Sequence, residues 1–410
     1  MNGRQLVLNK NAAVRFQRTN RIITRVLVQA PVRGGSLRIT SWAREENGSL
    51  VDALAPLANG GDLIVSDKTT LGRFTSAGLL VDDEHLSVPV RIECPFEETY
   101  LDCEAPSALD EAWRLNPTVR FPLKERTREG LARVIPSQES ESYRGLALAR
   151  STVPLPPGVS WVWFEGAATG WLSGYSVASE IADQLQGLSE QSTDLPLNLH
   201  PAAQAGLLVH DGAYAERRAR LESEQESVAE VFERNRYARI PRLLEKPLAD
   251  ALKLYYRALV NEGYCHRGDN QVANRFTLHN EPFAILLHEA LTPIAARLAR
   301  QALKPSYVYF ASYFDEAALE PHVDRAQCEV SMSLLIDYKP LAERALSPWP
   351  LIVKRPEPDA PEMFVNLSPG DAVAYRGCEL LHYRPALPAG HTSTSLFLHW
   401  VPAAFEGPLD

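Results

Sequence analysis

Short stretches with alternating apolar and polar residues dominate the last hundred residues of the chain. In Glu329–Tyr338, two serines alternate with Met332, Leu334 and Ile336, a period of two. Successive side chains of a strand point to opposite faces, so this period predicts a β-strand. Runs rich in aromatic and β-branched residues predict further strands at Ser306–Tyr313, Phe364–Leu367, Ala372–Tyr375 and Thr394–Val401. The C-terminal part is therefore predicted to consist mainly of short strands.

Helical periodicity is strongest just before these strands. The charged stretch Tyr214–Asn235 predicts a long helix that is mostly solvated, and Leu248–Leu259 predicts a second helix. A third helical pattern begins at Phe283. We expect these helices to support the strand-rich part.

The first half of the chain contains one short pattern twice. Ala77–Asp83 and Ala205–Asp211 share the sequence Ala-Gly-Leu-Leu-Val-x-Asp. A helical pattern precedes each copy, at Leu50–Leu57 and at Ser176–Leu185. The final leucines of these two patterns are as many residues apart as the two copies are. Strand patterns come before each of these helices. The matching separations favour an internal duplication of a unit with the order strand, helix, helix, strand.

The repeat divides the chain into three predicted parts, as expected for a length of 410 residues. Residues 1–105 form the first unit, residues 106–215 form a linker with the second unit, and residues 216–410 form the C-terminal domain. The linker is charged and rich in proline. The predicted fold class is α+β.

Composition and charge exclude several classes of function. With 45% hydrophobic and 23% charged residues, the chain has the composition of a globular protein. A net charge of −9 argues against a nucleic-acid-binding surface. We find neither an apolar run long enough for a membrane helix nor a signal-peptide core near the N-terminus. The five scattered cysteines predict reduced thiols in a cytoplasmic protein.

Candidate chemistry lies among the predicted strands. His322 and Asp324 precede the strand at Glu329–Tyr338, and His382 lies much later, between the runs at Ala372–Tyr375 and Thr394–Val401. Residues i and i+2 of an extended segment point to the same face, so His322 and Asp324 can reach one metal ion. Two histidines and one carboxylate form the ligand set of the facial triad that holds a non-haem Fe(II).

A second His-x-acid motif, His279-Asn280-Glu281, serves as an internal control. It stands beside Pro282, ahead of a helical pattern and without strand alternation around it. We therefore expect it to cap a helix or to join a buried network, and not to bind metal.

The region from about residue 216 to about residue 405 resembles the Fe(II)/2-oxoglutarate-dependent dioxygenases, most closely the prolyl-hydroxylase-like branch. The resemblance rests on the motif formed by His322, Asp324 and His382. The resemblance implies a double-stranded β-helix (jelly roll) of eight short strands with supporting helices. It also implies that the three residues bind Fe(II), that 2-oxoglutarate and O2 are co-substrates, and that an unactivated C–H bond is hydroxylated. Because Asp324 is present, hydroxylation is favoured over halogenation.

In that family a basic residue nine or ten positions after the distal histidine binds the far carboxylate of 2-oxoglutarate, and this chain departs from the pattern. The ninth position after His382 is His391. Arginine pairs with carboxylates through two bonds and keeps its charge, so Arg384 ranks first as the anchor. His391 with Ser393 ranks second. Tyr313 occupies the place of a tyrosine that often bonds 2-oxoglutarate, with a core aromatic as the alternative.

The two N-terminal copies resemble winged helices, similar to the leader-peptide-binding domains of peptide-modifying systems. This resemblance implies a peptide or protein substrate, for which Arg325 and Arg376 are candidate contacts, unless both are solvated rim charges. One alternative is a hydroxylase of a free amino acid or small natural product, whose N-terminal half forms a homodimer or serves as a scaffold. A second alternative is a non-catalytic peptide-binding protein.

Overall fold

The chain forms two compact units. The first comprises Met1–Arg91, Arg126–Pro154 and Tyr256–His266, and the second comprises Ile92–Glu125, Leu155–Tyr255 and Arg267–Asp410. The computed structural model describes residues 6–8, 13–19, 22–32, 36–59, 63, 65, 67–82, 90–95, 113–121, 155, 158–166, 169–188, 195–262, 265–269, 271–343 and 345–409. The domain boundaries near residues 105 and 215 stay a prediction.

The first unit contains a three-stranded antiparallel sheet in the order β2-β3-β4 and a separate pair of β1 and β5. Its elements are β1 (Leu6–Leu8), β2 (Ala13–Thr19), β3 (Ile22–Val32), β4 (Ser36–Ala43), α1 (Arg44–Leu54), α2 (Lys68–Ser76) and β5 (Leu80–Asp82). Alternate strand residues such as Val26 and Val28 are buried with Leu50 and Phe74 of the helices. Asp67 accepts a hydrogen bond of 2.7 Å from the Thr70 backbone N–H and so caps the N-terminus of α2.

The second unit begins with the same order of elements. They are β6 (Arg114–Leu115), β7 (Val159–Glu165), β8 (Leu172–Ala178), α3 (Ser179–Gly187), α4 (His200–Ala205) and β9 (Leu208–Val209). In both copies a hairpin precedes two helices, and the last strand pairs with a short upstream strand. Gly78 and Gly206 end the second helices with φ of 74° and 87°, a conformation that favours glycine. The winged-helix interpretation of this shared order stays a prediction.

The first helices of the two copies differ from the prediction at both ends. Ser176 belongs to strand β8, where it pairs with Trp161 of β7, and α3 begins only at Ser179. Leu57 lies in a 3-10 turn after α1, whereas Leu185 lies within α3. The end of the second helix and the last strand of each copy therefore lie at the same distance from their counterparts. The first helices of the two copies do not keep this distance.

The C-terminal part contains most of the predicted strands and helices close to their expected places. Its elements are α5 (Asp211–Asn235), β10 (Tyr237–Ile240), α6 (Lys246–Asn261), β11 (His266–Arg267), β12 (Arg275–His279), α7 (Pro282–Ala299), β13 (Leu303–Tyr313), β14 (Leu319–His322), β15 (Val330–Lys339), β16 (Leu351–Lys354), β17 (Met363–Val365), β18 (Ala372–Tyr375), β19 (Leu381–Arg384) and β20 (Thr392–Pro402). None of the helices in the described part of the chain is long and apolar enough to cross a membrane. The cytoplasmic location stays a prediction.

Two sheets face each other in this part. The larger sheet has the strand order β10-β18-β15-β20-β13-β12-β11, and the smaller has the order β14-β19-β16-β17. One apolar cluster joins Tyr313, Leu335 and Val373 of the larger sheet to Leu319 and Val353 of the smaller. A large antiparallel sheet packed in this way is consistent with a jelly-roll fold. The eight-stranded double-stranded β-helix stays a prediction.

The control motif lies on a strand, contrary to expectation. His279 ends β12, which pairs with β13 through its backbone and so forms a strand without a clear sequence alternation. The capping role falls to Glu281, whose carboxylate accepts hydrogen bonds from the backbone N–H groups of Phe283 and Ala284. The expectation of a helix cap at this motif is therefore confirmed for its acid.

Candidate active site

The three predicted metal ligands converge. His322 of β14 and His382 of β19 are cross-strand partners, which places their side chains on one face of the smaller sheet. Asp324 Oδ1 lies 3.5 Å from His382 Nε2 and 3.7 Å from His322 Nε2. One ligand atom from each residue lies within 4.8 Å of the other two. The spacing that predicted the triad thus places three donor atoms around one point.

Backbone carbonyls determine which ring nitrogen of each histidine carries the proton. His322 Nδ1 lies 2.8 Å from the Glu320 carbonyl, and His382 Nδ1 lies 2.9 Å from the Leu380 carbonyl. A carbonyl oxygen only accepts, so Nδ1 donates and Nε2 keeps its lone pair. In neutral rings both lone pairs face the carboxylate of Asp324, and a cation can lie between the three groups. Two neutral imidazoles and one carboxylate fit Fe(II).

Asp324 is held through both its carboxylate and its backbone. Ser331 Oγ donates to Oδ2 at 3.0 Å, and the Asp324 backbone N–H donates to the Gly377 carbonyl at 2.9 Å. A Cβ atom at Gly377 would lie 2.4 Å from Oδ2, so a larger residue would displace the carboxylate. Burial raises the pKa of Asp324, but the neighbouring His382 imidazole and the Ser331 hydroxyl outweigh it, and the pKa falls to about 2. The carboxylate is therefore charged at neutral pH.

Arg384 points into the same interior, two residues beyond His382. Its side chain is buried (3% exposed) and lies 4.7 Å above the Trp349 ring. Its Nη2 donates to Ser333 Oγ at 3.1 Å and its Nη1 to the Trp349 carbonyl at 3.3 Å, while Nε has no partner among the described residues. Burial lowers the pKa of Arg384. None of its contacts within the described part of the chain is a carboxylate, so a bound anion is the natural partner of this buried charge.

Two buried hydroxyl groups of strand β20 have no hydrogen-bond partner in the part of the chain that the structure describes. They are Oγ of Ser393 and of Ser395. Ser393 pairs with Tyr313 and Ser395 with Ala311, two interior residues of β13, so both serines face the interior. Ser393 was predicted here, whereas Ser395 was missed.

Tyr313 is buried and contacts both a second buried arginine, Arg275, and the Trp349 ring on which Arg384 lies. Arg275 donates from Nη1 to the Tyr313 hydroxyl at 3.0 Å and pairs with Asp269 at 2.5 Å. The hydroxyl oxygen thus accepts from Arg275, and its proton remains available to an acceptor. Tyr313 also contacts the Trp349 ring, with 5.1 Å between ring centroids. This geometry suits the predicted contact with 2-oxoglutarate.

The remaining candidates are already engaged by the protein. His391 Nδ1 and the Tyr338 hydroxyl are 2.8 Å apart. Arg376 forms an ion pair of 3.1 Å with Glu329. Arg325 is exposed and lies 4.8 Å above the Tyr307 ring. The roles of His391 in co-substrate binding and of both arginines in substrate binding stay predictions.

Sequence reasoning also missed the residues behind the metal ligands. Ser331 and His399 are cross-strand partners on β15 and β20, with 2.8 Å between Ser331 Oγ and His399 Nδ1. Burial lowers the pKa of His399 to about 4, so its imidazole is neutral. The available signal was that Ser331 and Ser333 place two hydroxyls on one face of a central strand, where apolar residues are usual.

Comparisons with known proteins find similar solved structures but no matching sequence family. No protein-family model matches the sequence, and no curated protein matches it either. Among solved structures, the α-ketoglutarate-dependent epimerase SnoN from nogalamycin biosynthesis is 15% identical with a TM-score of 0.38, covering 44% of this chain and 82% of its own. A Pseudomonas putida prolyl-4-hydroxylase is 17% identical with a TM-score of 0.36, covering 43% of this chain and 98% of its own.

A third similar structure is that of HygX from Streptomyces hygroscopicus, which holds nickel and 2-oxoglutarate. It is 11% identical with a TM-score of 0.35, and the match covers 44% of this chain and 87% of HygX. The matches thus concern less than half of this chain and are distant in sequence, so we take no residue role from them. Part of the chain is similar to 2-oxoglutarate and iron-dependent oxygenases of known structure, prolyl hydroxylases among them.

Proposed function

We propose that the protein is an Fe(II)/2-oxoglutarate-dependent dioxygenase. The observation that carries this proposal is the pairing of two features on one strand, β19. His382 completes a set of two histidines and one carboxylate, and Arg384 is a buried guanidinium without a carboxylate among its described partners. A metal alone would not need the arginine, and an anion alone would not need the triad. A co-substrate that chelates iron and carries a distant carboxylate needs both.

Each residue then has a definite task. His322, Asp324 and His382 would hold Fe(II), and the bound metal, 2-oxoglutarate and O2 would supply the oxidation of a C–H bond. Arg384 would bind the distal carboxylate through its two outer nitrogens. The hydroxyls of Tyr313, Ser393 and Ser395 would donate to the same carboxylate. The surrounding apolar cluster keeps water away, which strengthens these hydrogen bonds.

For the reaction outcome we favour hydroxylation, because Asp324 fills the position that a halide would need. The SnoN neighbour is an epimerase, so the fate of the C–H bond requires a direct product assay. A non-catalytic peptide-binding protein is the remaining alternative, and it predicts weak iron binding and no succinate formation with any substrate.

For the substrate we favour a peptide or protein side chain. Support comes from the two copies with the order hairpin, helix, helix and strand, because a free amino acid needs only one pocket. A strand edge in each copy could take up an extended segment by strand addition. A small-molecule substrate, with the copies used for homodimer formation, is the alternative.

The test of the metal site uses anaerobic binding of Fe(II) and succinate formation under air. Replacing His322, Asp324 or His382 with Ala should abolish both, while the protein keeps a cooperative unfolding transition. His279→Ala is the matched control, since it removes a histidine of the second His-x-acid motif, and it should leave metal binding unchanged. Full iron binding by His322→Ala would make the triad assignment wrong.

The test of the substrate compares a library of extended peptides with free amino acids, using the full chain and the peptide-dependent increase in succinate. Truncation near residue 216 is unsuitable, because it would cut helix α5 inside the second compact unit. Stimulation by peptides alone supports a polypeptide substrate. Equal stimulation by a free amino acid would favour the small-molecule alternative.

A further inference from the structure

A chain of three side chains runs behind the proposed iron site. Asp324 Oδ1 faces the two histidines, and Oδ2 lies 3.0 Å from Ser331 Oγ. Ser331 Oγ lies 2.8 Å from His399 Nδ1. Ser331 is fully buried and His399 is 6% exposed. Both residues belong to the larger sheet, whereas His322 and His382 belong to the smaller sheet.

The direction of these hydrogen bonds follows from the number of protons. A serine hydroxyl has one proton, and three groups within reach could accept it: His399 Nδ1 at 2.8 Å, Asp324 Oδ2 at 3.0 Å and the Cys328 carbonyl at 3.2 Å. The charged carboxylate is the strongest of these acceptors, so the proton points to Asp324. Ser331 Oγ must then accept from His399, which donates through Nδ1–H. The order of donation is His399 to Ser331 to Asp324.

We propose that Ser331 and His399 are positioning residues that hold Asp324 as a ligand through one oxygen, with Oδ1 toward the metal. This inference rests on the proposed function. A carboxylate that binds through one oxygen leaves three metal positions open, whereas one that binds through both oxygens leaves two. A co-substrate that chelates the metal and O2 together require three. The hydrogen bond to Oδ2 keeps this second oxygen from the metal.

Crowding around Oδ2 makes the hydroxyl of Ser331 hard to replace. A Cβ atom at Gly377 would lie 2.4 Å from Oδ2 and 2.8 Å from Ser331 Oγ, so the three groups are in close contact. Without the hydroxyl, Oδ2 would lose this donor, and the Cys328 carbonyl oxygen, which lies 3.2 Å from Ser331 Oγ, offers none in its place. We therefore expect the carboxylate to rotate in Ser331→Ala.

The first test measures metal affinity without turnover. Ser331→Ala should bind Co(II) and Ni(II) at least about tenfold more weakly than the wild type, in the range seen when groups behind metal ligands are lost. The visible absorption of bound Co(II) should change as the carboxylate changes its binding mode. Ser333→Ala is the matched control, because Ser333 lies on the same face of β15 but contacts Arg384, and its metal affinity should equal that of the wild type.

The second test remains informative if Ser331→Ala fails to fold. His399→Asn keeps an N–H donor near the position of Nδ1, whereas His399→Leu removes it. We expect Co(II) affinity and absorption close to the wild type for His399→Asn and weakened binding for His399→Leu. Equal affinities for these two variants, wild-type affinity of a folded Ser331→Ala, or equal weakening by Ser333→Ala would each overturn the inference. Absence of metal binding by the wild type would instead overturn the proposed function.

Discussion

Two buried arginines, Arg275 and Arg384, differ in what neutralises them. Arg275 and Arg384 are 4% and 3% exposed. Arg275 donates from Nε and Nη2 to Asp269, at 2.7 Å and 2.5 Å. Arg384 donates to a hydroxyl and a carbonyl and stacks on Trp349. Burial lowers the pKa of both, but for Arg275 the neighbouring phenols of Tyr313 and Tyr309 and the Asp269 carboxylate outweigh it and raise the pKa.

The presence or absence of a carboxylate partner distinguishes an arginine that stabilises the fold from one that can bind a ligand. A buried arginine paired within the chain contributes mainly to folding, because loss of either partner leaves the other charge unpaired. A buried arginine without such a partner costs free energy in the folded state, and a ligand anion can recover it. We infer that Arg275 holds the wall of the pocket and that Arg384 binds what enters it.

The largest expected effect is on folding, from Arg275→Met. This change leaves the Asp269 carboxylate partly buried without its guanidinium. We expect the free energy of unfolding to fall by about 3 kcal/mol, measured by urea denaturation. Arg300→Met is the control, since Arg300 forms surface ion pairs with Glu226 and Glu233 and should cost less than about 1 kcal/mol. Equal losses for both variants would contradict the structural role of Arg275.

Arg384→Met should weaken the binding of 2-oxoglutarate without lowering the stability of the fold, unlike Arg275→Met. Without 2-oxoglutarate its unfolding free energy should equal or exceed that of the wild type, since an uncompensated buried charge is removed. Its affinity for 2-oxoglutarate should fall about ten- to a hundredfold, corresponding to about 1.5–3 kcal/mol for a charge-assisted pair. The measurement is the rise in melting temperature that saturating 2-oxoglutarate causes in each protein. An unchanged rise in Arg384→Met would exclude this residue as the anchor.

Low pH should remove the stability that the ion pair between Arg275 and Asp269 contributes to the folded protein. Burial raises the pKa of Asp269, but the hydrogen bond from Tyr309, the backbone N–H of Val272 and the charge of Arg275 together lower it below 3.8. A lowered folded-state pKa gives stability that is present above the unfolded-state value of 3.8 and is lost as the pH falls through the folded-state value.

The stability difference between the wild type and Arg275→Met should therefore narrow below about pH 4, as measured by denaturation at neutral and acidic pH. The difference between the wild type and Arg384→Met should not change through this pair. His288 and His399, whose pKa values burial lowers to about 3 and about 4, destabilise all these proteins in acid and cancel in the differences. A constant difference for Arg275→Met across this range would contradict the pairing.

Local periodicity accounts for what could be predicted from the sequence. His322 with Asp324, and His382 with Arg384, are each two positions apart, and extended backbone places such pairs on one face. The strand signal at Ala372–Tyr375 matched β18 at both ends. These features depend on neighbours in sequence, so the pattern of the chain contains them.

Contacts between strands that are far apart in the sequence could not be predicted from local periodicity. Ser331 and His399 are far apart in the sequence, and their meeting depends on the register of β15 against β20. A shift of one residue would turn every side chain of a strand to the other face. The same holds for Ser176, which belongs to β8 through the register of that strand against β7, although the local pattern predicted a helix.

A smaller effect is expected from Ser393 and Ser395, whose hydroxyls have no partner among the described residues. Ser393→Ala and Ser395→Ala should each weaken 2-oxoglutarate binding by about 0.5–1.5 kcal/mol, roughly two- to tenfold, because each removes one neutral hydrogen bond. Ser173→Ala is the control, since Ser173 of β8 is likewise buried with no described partner but belongs to neither sheet of the jelly-roll-like part. An equal effect of this control on binding would indicate a general loss of stability.

The smallest effect is expected from His391→Ala. Its Nδ1 lies 2.8 Å from the Tyr338 hydroxyl, the residue is only half-buried, and Arg384 already supplies a positive charge to the pocket. We expect 2-oxoglutarate affinity within about twofold of the wild type, since one partly exposed neutral hydrogen bond contributes little. Tyr338→Phe removes the same hydrogen bond from the other side and should behave alike. A tenfold loss in His391→Ala, with normal binding in Tyr338→Phe, would make His391 the anchor. The position nine residues after the distal histidine would then bind the co-substrate carboxylate, and Arg384 would join Arg275 as a charge of the pocket wall.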